Sequence, residues 1–364
     1  MILKETGFGY NDITIIPAMY SNVNSRSECI ATYDNNKLPI FAAPMSSVID
    51  DNNYTKFNEV GVTPVIPRSV NLEKRINLCN QGEWIAVSLN EYKDFIFNSF
   101  NDFTIDKIKI CIDVANGHMK QIYDLCFKSK HIMHERLSLM VGNIANPHTY
   151  MYINSLKDED GSRLIDYVRC GIGSGAGCIT SSNTSIHMPM ASLIDDCNRF
   201  TKHSDNDTMI IADGGIRNYS DVIKALALGA DYVMIGSLFA KCIESCGDKY
   251  AYYKSSNDYV FIHDNTLMSY WDNEERGKSF NIVNEFYGMA SAQGQIAISG
   301  KKTKTSEGIT KYLDVIYTLP QWTQNMKDYI KSAMSYCDCF DIKHFIGTQV
   351  CIVNSLGEIN AVNK

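Results

Sequence analysis

The chain has no Cys-x-x-Cys pair among its twelve cysteines, no excess of basic charge, no apolar run long enough to cross a bilayer and no low-complexity tract. Each absence removes a class of protein. Scattered thiols without paired spacing read as free cysteines of a reducing compartment rather than a disulfide framework. Cys242 and Cys246 stand four apart, and Cys337 and Cys339 two apart, but neither has the matching second pair that a zinc site needs. A formal net charge of −7 leaves no basic footprint for nucleic acid, although backbone amides could still hold a nucleotide locally. The opening Met1-Ile2-Leu3-Lys4-Glu5-Thr6-Gly7 has no signal-like apolar core, so a cytoplasmic location with no membrane partner is expected.

What the chain does have is a recurring run of short apolar, β-branched segments separated by stretches of helical character. The runs are Leu38 to Ala43, Val62 to Ile66, Trp84 to Leu89, Ile108 to Val114, Leu137 to Gly142, Tyr167 to Gly171, Met209 to Ala212 and Tyr232 to Ile235. Runs apolar on both faces suit buried parallel strands, and alternation with helices is the βαβ pattern. Eight such units over 364 residues predict an α/β fold, a closed (β/α)8 TIM barrel forming a single domain over residues 1–364. From Tyr250 to Lys311 the rhythm breaks, which reads as a mobile insertion after strand eight, with a flap over residues 290–312. The amphipathic stretch Leu319 to Met334 reads as the last barrel helix.

Polar or glycine-rich clusters follow the strands, on the face where such barrels carry their sites. The most informative is Arg169-Cys170-Gly171-Ile172-Gly173-Ser174-Gly175-Ala176-Gly177-Cys178-Ile179-Thr180. Alternate glycines let a ligand approach the main chain, and a cysteine at the far end is placed as a nucleophile. The competing reading is a tight turn followed by a buried thiol. Gly214, Gly215, Gly236 and Ser237 follow strands seven and eight, where barrels of this kind bind phosphate.

Taken in order, Gly9-Tyr10-Asn11-Asp12-Ile13, Pro39-Ile40-Phe41-Ala42-Ala43-Pro44-Met45, the Cys178 loop, Ile211-Ala212-Asp213-Gly214-Gly215, Ala225 to Gly236 and Tyr287-Gly288-Met289 resemble the family of IMP dehydrogenases and GMP reductases over nearly the whole chain. The resemblance is closer to the reductase branch. The short Pro67–Glu83 segment has no room for the regulatory modules that dehydrogenases usually insert there, although some dehydrogenases lack them too. Thr305-Ser306-Glu307-Gly308 is similar to the reductase flap, and no arginine follows Arg276, whereas dehydrogenases activate water with a flap arginine. Ser237 and Ala225 to Ala230 look more dehydrogenase-like, so an NAD-dependent IMP dehydrogenase stays open as an alternative, as does a purine-nucleotide-binding protein without catalysis.

The resemblance implies NADPH-dependent reductive deamination of GMP to IMP and ammonia, with Cys178 as nucleophile and Thr180 and Glu307 handling the proton. It assigns Asp213 to the ribose, Gly214, Gly215, Gly236, Ser237 and Tyr287 to the phosphate, and Gly288 and Met289 to the base, with Ser306 and Gly308 on the flap beside the nucleotide. Asp113, Val114, Ala115, Ile172 and Gly173 match the cofactor segments. Ser25 and Arg26 match residues that a neighbouring subunit lends to the cofactor, which implies a homotetramer. A monovalent cation, K+, on the backbone of Gly173, Gly175 and Cys178 is implied in the same way. The chain departs from the family at Ala176, where a phosphate-binding serine is usual, at Pro67 with Arg68, where a lysine is usual, and at Ser181 and Lys304, where arginines are usual. Those departures leave room for a modified purine monophosphate as substrate.

Overall fold

Each of the eight apolar runs becomes one strand of a closed, all-parallel barrel in the computed structural model, which describes residues 6–33, 35–99, 102–201 and 204–353. The strands are β1 (Ile40–Ala42), β2 (Thr63–Ile66), β3 (Trp84–Val87), β4 (Ile108–Asp113), β5 (Leu137–Ile144), β6 (Tyr167–Cys170), β7 (Met209–Asp213) and β8 (Tyr232–Ile235). Pairing of Phe41 with both Thr63 and Met234 closes the ring. The fold is a (β/α)8 TIM barrel.

Side-chain alternation along the strands separates two cores. Phe41, Trp84, Ala86, Cys111, Met140, Ile211 and Met234 point inward, while Ile40, Ala42, Ile85, Val87, Ile110 and Ile112 pack against the surrounding helices. The bottom of the barrel is plugged by aromatic edges, with Phe41, Trp84, Tyr167 and Tyr232 in mutual contact at centroid distances of 5.0 to 6.1 Å. A plugged floor leaves the C-terminal mouth as the open end.

The last barrel helix, Leu319–Tyr336, starts with a reciprocal Thr318 and Gln321 capping box and buries Trp322, Met326, Ile330 and Met334 along one stripe. Between β8 and that helix the sequence predicts a long mobile insertion in which the strand and helix rhythm breaks. The chain instead builds a four-stranded antiparallel sheet from β9 (Lys249–Tyr253), β10 (Asp258–Ile262), β11 (Phe280–Tyr287) and β12 (Thr310–Asp314), in the order β10-β9-β11-β12, with helices at Asp264–Trp271 and Ala292–Ser299. One face of this sheet, with Ala251, Ile262, Phe280 and Ile282, forms its own small core. The helix Ala292–Ser299 lies within the 290–312 segment, and β12 begins at its end.

Candidate active site

The mouth of the barrel holds two adjoining cavities, of about 200 Å³ and about 460 Å³, and the Cys178 side chain borders both. The loop after β6 carries it there. At Gly177 a Cβ would lie 2.8 Å from the Gly288 nitrogen, so glycine is what lets the Cys178 loop touch the segment after β11. The contact continues as backbone pairing: Cys178 bridges Gly308, Ile179 N–H donates to Glu307 O at 3.0 Å, and Ile309 N–H donates to Gly177 O at 3.0 Å. Two loops far apart in sequence are thereby fixed face to face.

That pairing brings three side chains into line. The Cys178 thiol donates to Thr180 Oγ1 at 3.3 Å, and the Thr180 hydroxyl donates to Glu307 Oε2 at 3.1 Å. A continuous proton path therefore runs from a partly exposed sulfur to a carboxylate, a connection that can both strip a proton from the thiol and return one to a leaving group. Other thiols near the mouth are poorly suited to attack: Cys111 is fully buried, and burial pushes its pKa up to about 12.

The smaller cavity is lined by Asp213, Gly214, Gly215, Gly236, Ser237, Gly288 and Met289, along with Ala176. The larger is lined by Asp113, Val114, Ala115, Ile172, Gly173, Thr180, Glu307 and Gly308, with Arg68 and Lys304 as its cations. Four further positions stand apart. Tyr287 lies in neither lining; its hydroxyl accepts from Ser46 Oγ at 3.3 Å behind Met289. Ser306 turns its hydroxyl onto Gly308 O at 2.7 Å. Ser25 and Arg26 are exposed on a short 3-10 turn outside both cavities of their own chain.

In the wall of the smaller cavity stands a side chain that the motif reading passed over. Arg169 on β6 is 7% exposed and reaches across the barrel mouth to Asp113 Oδ1 at 2.7 Å on one side and Asp213 Oδ2 at 2.8 Å on the other. Burial works against its charge, yet Asp213, Cys111 and Asp113 outweigh that penalty and raise its pKa above the ordinary arginine value. Room for it comes from β5, where a Cβ on Gly142 would sit 2.4 Å from the Arg169 Cβ. A register shift just beyond, between Gly142 and Ile144, sends Asn143 Nδ2 to Gly171 O at 2.8 Å and to Asp213 Oδ2 at 2.7 Å. A lone arginine inside an apolar strand was the available signal, because a buried guanidinium requires carboxylate partners.

Similarity to known proteins agrees with the geometry. A family model described as the IMP dehydrogenase / GMP reductase domain matches residues 86–356. The GMP reductase of Staphylococcus saprophyticus is 28% identical over 328 residues, covering 82% of this chain and 92% of that protein. The GMP reductase of Bacillus cereus is 31% identical over 259 residues, 68% of this chain and 74% of its own. The inosine-5'-monophosphate dehydrogenase of Chlorobaculum parvum is 30% identical over 235 residues, 64% of this chain but 42% of that longer protein. The family is one of oxidoreductases, and this chain belongs to it: it is a member of the IMP dehydrogenase and GMP reductase family.

Proposed function

We propose that the protein is an NADPH-dependent GMP reductase, converting GMP, NADPH and two protons to IMP, ammonium and NADP+. The observation that carries this reading is the Cys178, Thr180 and Glu307 chain, with its 3.3 Å and 3.1 Å links, at the junction of two cavities.

In this reading the smaller cavity takes the nucleotide. Arg169 and Asn143 all bond Asp213 through Oδ2, which leaves Oδ1 for a ribose hydroxyl. The turns at Gly214, Gly215, Gly236 and Ser237 offer backbone amides to the phosphate, and Gly288 and Met289 flank the base. Tyr287 acts from behind through Ser46, and Ser306 shapes the flap around Gly308.

Cys178, having passed its proton through Thr180 toward Glu307, adds as thiolate to carbon 2 of the purine. The proton returns along the same path to the amino group, the C–N bond breaks and ammonia departs, leaving a thioimidate on Cys178. NADPH, when bound, supplies the hydride to that carbon. The C–S bond then breaks, its electrons return to sulfur, and IMP is free. Covalent capture divides one difficult displacement into two easier steps.

The larger cavity suits the cofactor because it opens on Cys178 and carries Asp113, Val114, Ala115, Ile172 and Gly173 on one wall and the Arg68 and Lys304 cations for phosphate on another. Ser25 and Arg26, outside the cavities of their own chain, would serve a neighbouring subunit in a homotetramer. The Gly173 carbonyl accepts the Ser181 hydroxyl at 2.9 Å and the Gly175 carbonyl accepts Cys178 N–H at 3.0 Å; each retains a second lone pair for the implied K+, and no step of the reaction requires the ion. The 290–312 segment acts as the flap that carries Glu307.

Two mixtures test the assignment by NADPH absorbance. GMP with NADPH should lose absorbance and release ammonia in equal amount. Gain of absorbance with IMP and NAD instead would make the protein a dehydrogenase, and silence in both despite nucleotide binding would make it a non-catalytic binder.

A further inference from the structure

Gln295 lies on the helix Ala292–Ser299, is 5% exposed, and spends its whole side-chain amide on the flap. Its Oε1 accepts Thr303 N–H at 2.9 Å, Lys304 N–H at 2.9 Å and the Thr303 hydroxyl at 3.2 Å. Its Nε2 donates to Lys304 O at 3.2 Å and to Ala290 O at 3.3 Å. A primary amide has two donors and a two-lone-pair oxygen, so both donors are used and three donors share the two lone pairs of Oε1.

The bonds reach both ends of one loop. Ala290 lies where the chain enters the segment, and Thr303 and Lys304 lie where it returns. The Ala290 carbonyl also accepts Glu307 N–H at 3.1 Å, so Gln295 and the backbone of Glu307 share one acceptor. Glu307 in turn faces Thr180. Ser299 adds a second tie within the loop, its hydroxyl donating to Gln295 O and Lys301 O at 2.9 Å each. Gln295, Ser299, Thr303, Lys304 and Glu307 together form one wall of the larger cavity.

We infer that Gln295 is a positioning residue, a polar latch that holds residues 303–307 in the conformation that sets Glu307 against Thr180 and closes the larger cavity. It touches no reacting atom in this account and acts through the flap backbone. Its effect on turnover rests on the reductase reading above; its effect on the flap does not. A buried side-chain amide with backbone partners is costly to leave unpaired, so the latch favours one flap geometry over open alternatives.

Amide hydrogen exchange by mass spectrometry and NMR on the intact protein tests the latch. In the wild type, the Thr303 and Lys304 amides should be protected; exchange there at the rate of an unstructured peptide would overturn the inference without any variant. Gln295→Met keeps length and apolar packing but removes every polar bond, and should speed exchange at both amides about tenfold or more, with faster tryptic cleavage in the 301–304 stretch. Gln295→Glu keeps acceptors but loses both donors, and should fall between the two. With GMP and NADPH, Gln295→Met should lower kcat about tenfold or more and leave binary nucleotide affinity within about twofold, because Gln295 does not border the smaller cavity. Unchanged flap exchange in that variant, or loss of nucleotide affinity in step with kcat, would contradict the latch. A wild type inactive on GMP would refute the reductase reading, while the exchange results would still decide the latch.

Discussion

At the scale of single residues, the site depends on a cation in the wall of the smaller cavity. Arg169 neutralises Asp113 and Asp213 together, and each of those carboxylates borders both cavities. Removing it leaves two partly buried carboxylates facing each other with no counter-charge. Arg169→Met should therefore destabilise the fold by about 3–5 kcal/mol in urea unfolding and weaken nucleotide binding as well. A variant as stable as the wild type would show that solvent already compensates the pair. Part of the candidate site was legible in the sequence: Cys178 by its loop, and Thr180 and Glu307 by the family resemblance, are three side chains that the fold joins in one hydrogen-bonded line. Arg169 and Gln295 were not. A side chain whose partners are carboxylates on other strands, or backbone amides of a distant loop, leaves no local pattern, because its value appears only once the chain has closed on itself.

At the scale of elements, two loops paired edge to edge define the geometry. The loop after β6 and the flap meet through Gly177, Cys178, Glu307, Gly308 and Ile309, and the approach is closest at Gly177. In Gly177→Ala the new methyl meets the Gly288 backbone, which cannot rotate away. The loop must move, and a displaced sulfur should lower kcat about a hundredfold while stability falls by only about 1–3 kcal/mol. Activity near wild type in steady-state kinetics would mean the loops need not touch. The barrel strands were readable because parallel strands buried on both faces form continuous apolar runs. The antiparallel sheet of the insertion was not, for a physical reason: β10 carries the short apolar run Tyr259-Val260-Phe261-Ile262, of which the first three residues are exposed, and a run of that length does not by itself separate strand from helix. Packing against β9, rather than local sequence, decides that strand.

At the scale of the whole molecule, the barrel tolerates one carboxylate whose burial works against folding. Asp231, half-buried ahead of β8, accepts Ile210 N–H at 2.7 Å, and burial pushes its pKa up to about 6. Its folded-state pKa lies above its unfolded value, so its contribution to stability is full below about pH 4 and is lost as pH rises through about 6. Asp231→Asn keeps an acceptor for Ile210 without the charge. Relative to wild type, the variant should gain about 2 kcal/mol between pH 4 and pH 7 in urea unfolding, and a pH-independent difference would show that the carboxylate stays ionised at no cost. Among the described residues no helix is long and apolar enough to cross a membrane.

The proposed reaction depends on one covalent bond between Cys178 and the purine. Acid-quenching the protein during turnover with GMP and NADPH, then measuring intact and peptide masses, looks for that bond directly. The expected result is a population heavier by one purine-nucleotide unit on the peptide containing Cys178, absent in Cys178→Ala, which should still bind GMP. Unmodified protein throughout turnover, or the added mass on another of the twelve cysteines, would contradict it.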